Sequence, residues 1–199
     1  MKTYTIVKKP AVLDWSQIPA AQIDHCQWGY WADVSAQAQL CYDREAIYVR
    51  LSAREAHIRA VEQTQTGMPY QDSCLEFFFS PLPERNTYFN IEMNPNCVMY
   101  LGIGTNRYDL IRLLLPEEGN LEAVASTTQD GWALTYRIPA VLIRRFFPEF
   151  EIRSGAKMRG NFYKCGDKTE VPHYFAWNPV ECDQPDFHMS RWFGDLYFA

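Results

Sequence analysis

Glu76 and Glu92, with Asn90 and Asn94 flanking the second, are the side chains whose types and spacing could do chemistry together. Carboxylates accept hydrogen bonds from hydroxyl groups, amides both donate and accept, and charge-assisted bonds are the stronger kind. Such a set suits a polyhydroxylated ligand. Tyr70, ahead of the first glutamate, supplies a ring on which an apolar ligand face could pack. A second chemistry is open to the same pair: two carboxyl groups on neighbouring strands could be the acid and base of a glycoside hydrolase, for which they must stand roughly 5–10 Å apart. Glu76 could also be a solvated strand carboxylate or the ion-pair partner of Arg50 or Arg112, and Asn90, Glu92 and Asn94 could simply face water.

Two strand-like runs must position this set. In Cys74-Leu75-Glu76-Phe77-Phe78-Phe79, a period of two puts Leu75, Phe77 and Phe79 on one face and Cys74, Glu76 and Phe78 on the other. Tyr88 to Asn94 sends Phe89, Ile91 and Met93 one way and Asn90, Glu92 and Asn94 the other. Ser80 to Asn86, with two prolines, reads as the turn between them, which makes an antiparallel hairpin with one apolar and one polar face. The polar stretch from Arg54 to Gln71, in which Ala56 to Val61 could form a helical turn, delivers Tyr70 to the head of this hairpin as a wall.

The rest of the chain reads as further short strands. Thr3 to Val7 suggests an edge strand, and Ala38 to Tyr42 with Ala46 to Ala53 a hairpin closed by Asp43-Arg44-Glu45. Cys97 to Ile103 is a strand, Tyr108 to Leu115 an apolar run, and Glu117 to Asn120 a turn. Leu121 to Thr127 and Trp132 to Ile138 reverse across Asp130-Gly131. Pro139 opens the one helix, Ala140 to Phe147, which Pro148 ends. Strands at Lys157 to Cys165, Phe175 to Trp177 and Leu196 to Phe198 complete the set. About ten short strands, one short helix and no repeated βαβ order predict an all-β, two-sheet antiparallel β-sandwich, as a single domain over residues 1–199. The aromatic group Trp28, Tyr30 and Trp31 suits packing over a sheet end or a ligand platform.

Composition narrows the function. A formal net charge of -5 argues against nucleic acid, whose phosphates require clustered Lys and Arg. No apolar run approaches the roughly 20 residues that cross a bilayer, and the first residues lack a signal-peptide core, so the expectation is no membrane partner and a cytoplasmic protein, or an extracellular one if a leader has been removed. The six cysteines (Cys26, Cys41, Cys74, Cys97, Cys165 and Cys182) show no zinc-type spacing and read as free, mostly buried thiols. The four histidines have no paired spacing either, and Met93 falls on the core face, which leaves little for a haem- or metal-binding sandwich domain.

Four landmarks in order carry a resemblance: Tyr70-Gln71-Asp72-Ser73 running into Cys74 to Phe79; Asn90-Ile91-Glu92-Met93-Asn94; Gly131-Trp132 leading to Ile138-Pro139; and Asp186-Phe187-His188 followed by Phe193-Gly194-Asp195-Leu196. Over nearly its whole length the chain resembles the family 9 carbohydrate-binding modules, in particular a family 9-like branch. The resemblance implies a jelly-roll-type sandwich that grips a glycan end, of xylan or another polysaccharide, between two aromatic rings, without catalysing anything itself. Carried over by position, the rings are Tyr70 and Phe187, the acid is Glu76, and an amide falls on Gln184, with Asn90, Glu92 and His188 completing the candidate ligand-binding set. Tyr and Phe stand where the family pattern has tryptophans, and one extra residue separates Asp72 from Glu76. No cofactor is implied beyond a structural calcium, for which Asp183 and Asp186 are candidates.

Overall fold

The structure, a computed structural model, describes residues 1–29, 33–115 and 121–199. Tyr30 and Trp31 of the aromatic group and the turn Glu117 to Asn120 lie outside the described residues. Among the described residues fourteen strands form, beginning with β1 (Thr3–Lys8), β2 (Ala21–Ile23), β3 (His25–Gly29), β4 (Val34–Tyr42) and β5 (Ala46–Glu55). The middle of the chain supplies β6 (Cys74–Ser80), β7 (Tyr88–Met93), β8 (Met99–Gly104) and β9 (Ile111–Arg112). Then come β10 (Val124–Thr128), β11 (Gly131–Pro139), the helix α1 (Ala140–Arg144), β12 (Lys157–Gly166), β13 (His173–Ala176) and β14 (Gly194–Phe198).

They make a β-sandwich. One layer runs β10-β11-β5-β4, with β2 beside β4; the other runs β14-β12-β6-β7-β8-β9, with β13 beside β12 and β3 beside β13. Leu40, Val49, Leu51, Leu134 and Ile138 of the first layer meet Leu75, Phe77, Phe89, Ile91, Met93 and Phe162 of the second in one buried core. The alternation read from β6 and β7 therefore describes which residues reach the interior. Burying a side chain of this size stabilises the fold by about 1.5–3 kcal/mol.

Three expectations are corrected. β1 is an interior strand, because Thr3 to Ile6 pair with β14 and Val7 and Lys8 pair with β4, so that it crosses from one layer to the other. Both of those pairings are parallel, so the sandwich is mixed at this seam and antiparallel elsewhere. Alternation within a strand reports which faces are buried and says nothing about a neighbour's direction. Ala56 to Val61 is irregular, bent at Ala56 and His57, with no helical turn. Asp72 holds it there, since its Oδ2 accepts from the backbone N–H of Val61 and Glu62. The expected reversal at Asp130-Gly131 forms, and a side chain at Gly131 would collide with the Ala53 carbonyl oxygen. Pro139 caps α1, and Ala140, Leu142 and Ile143 are buried. Among the described residues no helix is long and apolar enough to cross a membrane.

The outer face of the second layer is covered in part. The segment after β13 lays Val180, Phe187 and Phe193 over Cys74, Phe78, Tyr88 and Tyr163, forming a second apolar cluster. Where that cover stops, a cavity opens.

Candidate functional site

Register assembles the cavity floor. Glu76 stands opposite Glu92 across β6 and β7, Glu92 opposite Tyr100 across β7 and β8, and Phe78 opposite Asn90. Directly paired residues of antiparallel strands share a face, so Glu76, Glu92, Tyr100 and Asn90 project outward together. Cys165 of β12 joins them one pair along, opposite Cys74. Loops make the walls. Met68 and Tyr70 come from the stretch before β6, Arg107 and Leu110 from the β8–β9 connection, Asp167 from the turn after β12, and Pro185 to His188 from the covering segment. The cavity so enclosed measures about 500 Å³, within the range of small-molecule sites.

Each wall is pinned. The Tyr70 carbonyl accepts from the Asp167 N–H at 3.1 Å, which ties two rims together. Arg112 donates to the carbonyl oxygens of Thr66, Gln65, Gly67 and Met99, and its guanidinium lies 4.6 Å over the Tyr100 ring. Arg107 pairs with Asp186 at 3.2 Å, and the same Asp186 oxygen accepts from the His188 N–H. The His188 Nδ1 lies 3.0 Å from the Tyr88 hydroxyl, and burial, helped by the Arg107 charge, holds the imidazole neutral by lowering its pKa to about 4.

The floor is polar and poorly hydrated. Asn90 and Glu92 are 0% and 5% exposed, and the Asn90 amide donates to Glu92 Oε1 at 2.9 Å. Glu76 Oε1 accepts from the Cys165 thiol at 2.9 Å. Three buried atoms on these lining residues, Asn90 Oδ1, Glu92 Oε2 and Arg112 Nε, have no hydrogen-bond partner among the described residues. Leaving such a group unmet costs about 1–3 kcal/mol, and protein folds rarely leave three together without a use for them. Burial raises the Glu92 carboxyl to about 7 against the pull of the Asn90 bond, and it raises Glu76 well above the usual carboxylate range, with Cys165 and Glu92 adding to the effect.

A family model described as carbohydrate-binding family 9 matches residues 7–198. The chain belongs to carbohydrate-binding family 9. No curated protein matches the sequence. Among solved structures, a candidate carbohydrate-binding protein of Bacteroides uniformis is similar at 25% identity and a TM-score of 0.83, with 100% of this chain and 99% of that one covered. A family 9 module from Caldicellulosiruptor kristjanssonii in complex with glucose aligns at 13% identity and a TM-score of 0.70, covering 100% and 96% of the two chains. In its complex with cellotriose, such a module aligns at 13% identity and a TM-score of 0.66, covering 99% and 93%. At that identity the last two speak for the fold.

In this family 9 chain, Tyr70, Glu76, Asn90, Glu92, Phe187 and His188 line one cavity. Gln184 does not; it is exposed on the covering segment, short of the rim. Counting back from Phe193-Gly194 puts both residues on the covering segment, where Phe187 lines the cavity and Gln184 does not, because an irregular loop has no period to count by. Phe187 is 8% exposed, with its ring stacked 4.1 Å from that of Tyr163 at 11°, so one of its faces is occupied. Glu76 pairs with neither Arg50, which bonds to Gln39, nor Arg112. Asn94 lies away from the cavity and bonds to Asp72 and the Glu62 carbonyl.

Sequence reasoning missed Tyr100, Arg107, Arg112, Asp167 and Tyr174 as cavity residues. Tyr100 was reachable, since extending the hairpin register by one strand places it beside Glu92; the others sit in turns or on very short strands, where no pattern marks them. For a metal, the one group of three possible ligands among the described residues is Cys74, Glu76 and Cys165, whose donor atoms lie within 4.8 Å of one another. That set is sulfur-rich, unlike the oxygen donors calcium takes. Asp183 and Asp186 are not part of it, and Asp186 is already committed to Arg107.

Proposed function

We propose that the cavity holds a sugar unit at the end of a glycan, without catalysis. The observation that carries this reading is the set of unmet polar atoms, Asn90 Oδ1, Glu92 Oε2 and Arg112 Nε, gathered in a cavity walled by Tyr70, Tyr100, Tyr174 and Phe187. Hydroxyl groups both donate and accept, so a sugar ring can satisfy two acceptors and a donor at once. Its apolar C–H face packs on an aromatic ring. Tyr70, half-buried on the rim, takes that part, with Phe187, made rigid by Tyr163, lining the same cavity. The cavity is closed at its floor by the sheet, which favours a chain end over the middle of a polymer.

The hydrolase reading uses the same carboxyl groups. Glu76 and Glu92 stand side by side on adjacent strands of one floor, whereas hydrolysis needs its two carboxyl groups flanking the scissile bond. Binding is the better account. Because the similar modules were seen with glucose and with cellotriose, glucose-configured oligosaccharides come first in the test, with xylo-oligosaccharides beside them. Calorimetric titration should give saturable binding of at least one short oligosaccharide, and chromogenic glycosides should remain intact. Turnover that disappears in Glu76→Gln would reverse the assignment.

A further inference from the structure

Four carboxyl groups line the cavity, those of Glu76, Glu92, Asp167 and Asp186, against two guanidinium groups, Arg107 and Arg112. Neither arginine forms an ion pair with the floor carboxyl groups Glu76 and Glu92, although the charge of each reaches Glu92. Arg107 is taken by Asp186 and, at 3.3 Å, by the Pro185 carbonyl. Arg112 is spent on four backbone carbonyls and the Tyr100 ring. Glu76, Glu92 and Asp167 are thus left with neutral partners: the Cys165 thiol, the Asn90 amide and the Tyr174 hydroxyl. The two unmet acceptors, Asn90 Oδ1 and Glu92 Oε2, belong to side chains already joined by a hydrogen bond, and both residues are more than nine-tenths buried.

A neutral hydroxyl would satisfy one such acceptor per proton. An ammonium group brings three donors to the two adjacent acceptors and a positive charge that favours the ionised form of the carboxyl it meets, an attraction strongest where it is shielded from water. Resting on the sugar-binding reading above, we infer that the preferred ligand is an amino sugar with a free, protonated amine seated between Asn90 and Glu92. N-acetylation would remove both the charge and two of the donors. The groups around Glu92 are Glu76 from β6, Asp167 from the β12–β13 turn and the Tyr70 and Tyr100 hydroxyls, with Arg107 and Arg112 as cations whose charge acts on it without an ion pair. Burial holds the Glu92 carboxyl up at about 7 in the free protein. An ammonium placed against it would drive that proton off.

The test is calorimetry on the intact chain at pH 6.5 with three oligosaccharides of equal length: glucosamine-ended, N-acetylglucosamine-ended and glucose-ended. The amine-bearing sugar should bind at least tenfold tighter than the other two. Its heat should vary with the ionisation enthalpy of the buffer, because a proton is released. In Glu92→Gln the ratio between amine and neutral sugars should fall toward one, and Asp167→Asn should lower it part of the way. Glucose-ended binding as tight as the amine, or an unchanged ratio in both folded variants, overturns the inference while leaving sugar binding in place. No binding of any of the three overturns both.

Discussion

The second layer carries buried charge on both of its faces, and the two faces are finished differently. Between the layers, Glu55 accepts from Ser73, from the Trp132 indole and, through both oxygens, from Lys164, which also donates to the Cys165 carbonyl and lies 2.7 Å from His173 Nε2. His173 Nδ1 sits 2.8 Å from the Val171 carbonyl, so its proton belongs there and Nε2 accepts from the lysine. Each oxygen and nitrogen of that cluster has a partner. On the outer face Glu92 and Asn90, equally buried, keep one acceptor each unmet. The first arrangement is complete without a ligand, and the second is completed by one. Burial of charge alone does not mark a binding site; burial with unfilled valence in a cavity does.

The largest expected effect breaks the inner cluster. Lys164→Met leaves Glu55 charged and unaccompanied between the layers, and such losses run to about 3–5 kcal/mol. Urea unfolding should show it, in the absence of any sugar. An equal loss from Glu92→Gln would erase the contrast between the faces.

Acidity separates the faces next. Glu92 has its folded pKa raised, to about 7, so the folded state keeps a proton that the unfolded chain gives up from about pH 4.5. The stability it contributes is therefore full at low pH and is lost as pH rises to 7, a change on the order of 2–3 kcal/mol at about 1.4 kcal/mol per unit. His173 works the other way. Its folded pKa is lowered to about 4, by burial and by Lys164, so its contribution is present above the usual imidazole range and lost as pH falls toward 4. Thermal melts across this range should describe a dome whose alkaline limb flattens in Glu92→Gln and whose acid limb does not.

Smaller effects sharpen the outer face alone. Tyr70→Ala should weaken sugar affinity about three- to tenfold, from a stacking preference of roughly 0.5–1.5 kcal/mol, with the melting temperature nearly unchanged because the ring lies on the rim. Gln184→Ala should change neither affinity nor stability by more than about twofold, since the side chain is exposed and outside the cavity. Loss of binding in that variant would return Gln184 to the site.

Which parts were legible in the sequence follows from the same contrast. The β6–β7 hairpin declared itself because each strand alternates strictly, and that alternation placed Glu76, Asn90 and Glu92 on one face and Phe77 and Ile91 on the other. β2 and β3 did not, being only three and five residues long. Lys164 alternates onto the core face beside Phe162, yet nothing in the chain announces that Glu55, on the opposite layer, will meet it. The Asp72-Ser73 motif carried the resemblance, but its work is structural: Asp72 and Ser73 fix the loop that presents Tyr70, through Arg59, Val61 and Glu62. Arg107 and Asp167 could be found only once strands had been put beside one another.

The central claim is that Glu92 is buried for a ligand and Glu55 for the fold. Its most direct measurement is a paired one on Glu92→Gln at pH 8, where the native carboxyl is ionised: calorimetric affinity for the tightest-binding oligosaccharide, and unfolding free energy without sugar. The account predicts affinity lower by about ten- to a hundredfold, the worth of a charge-assisted hydrogen bond, with stability equal to or above that of the native chain. Undiminished affinity together with a fall in stability like that of Lys164→Met would contradict it.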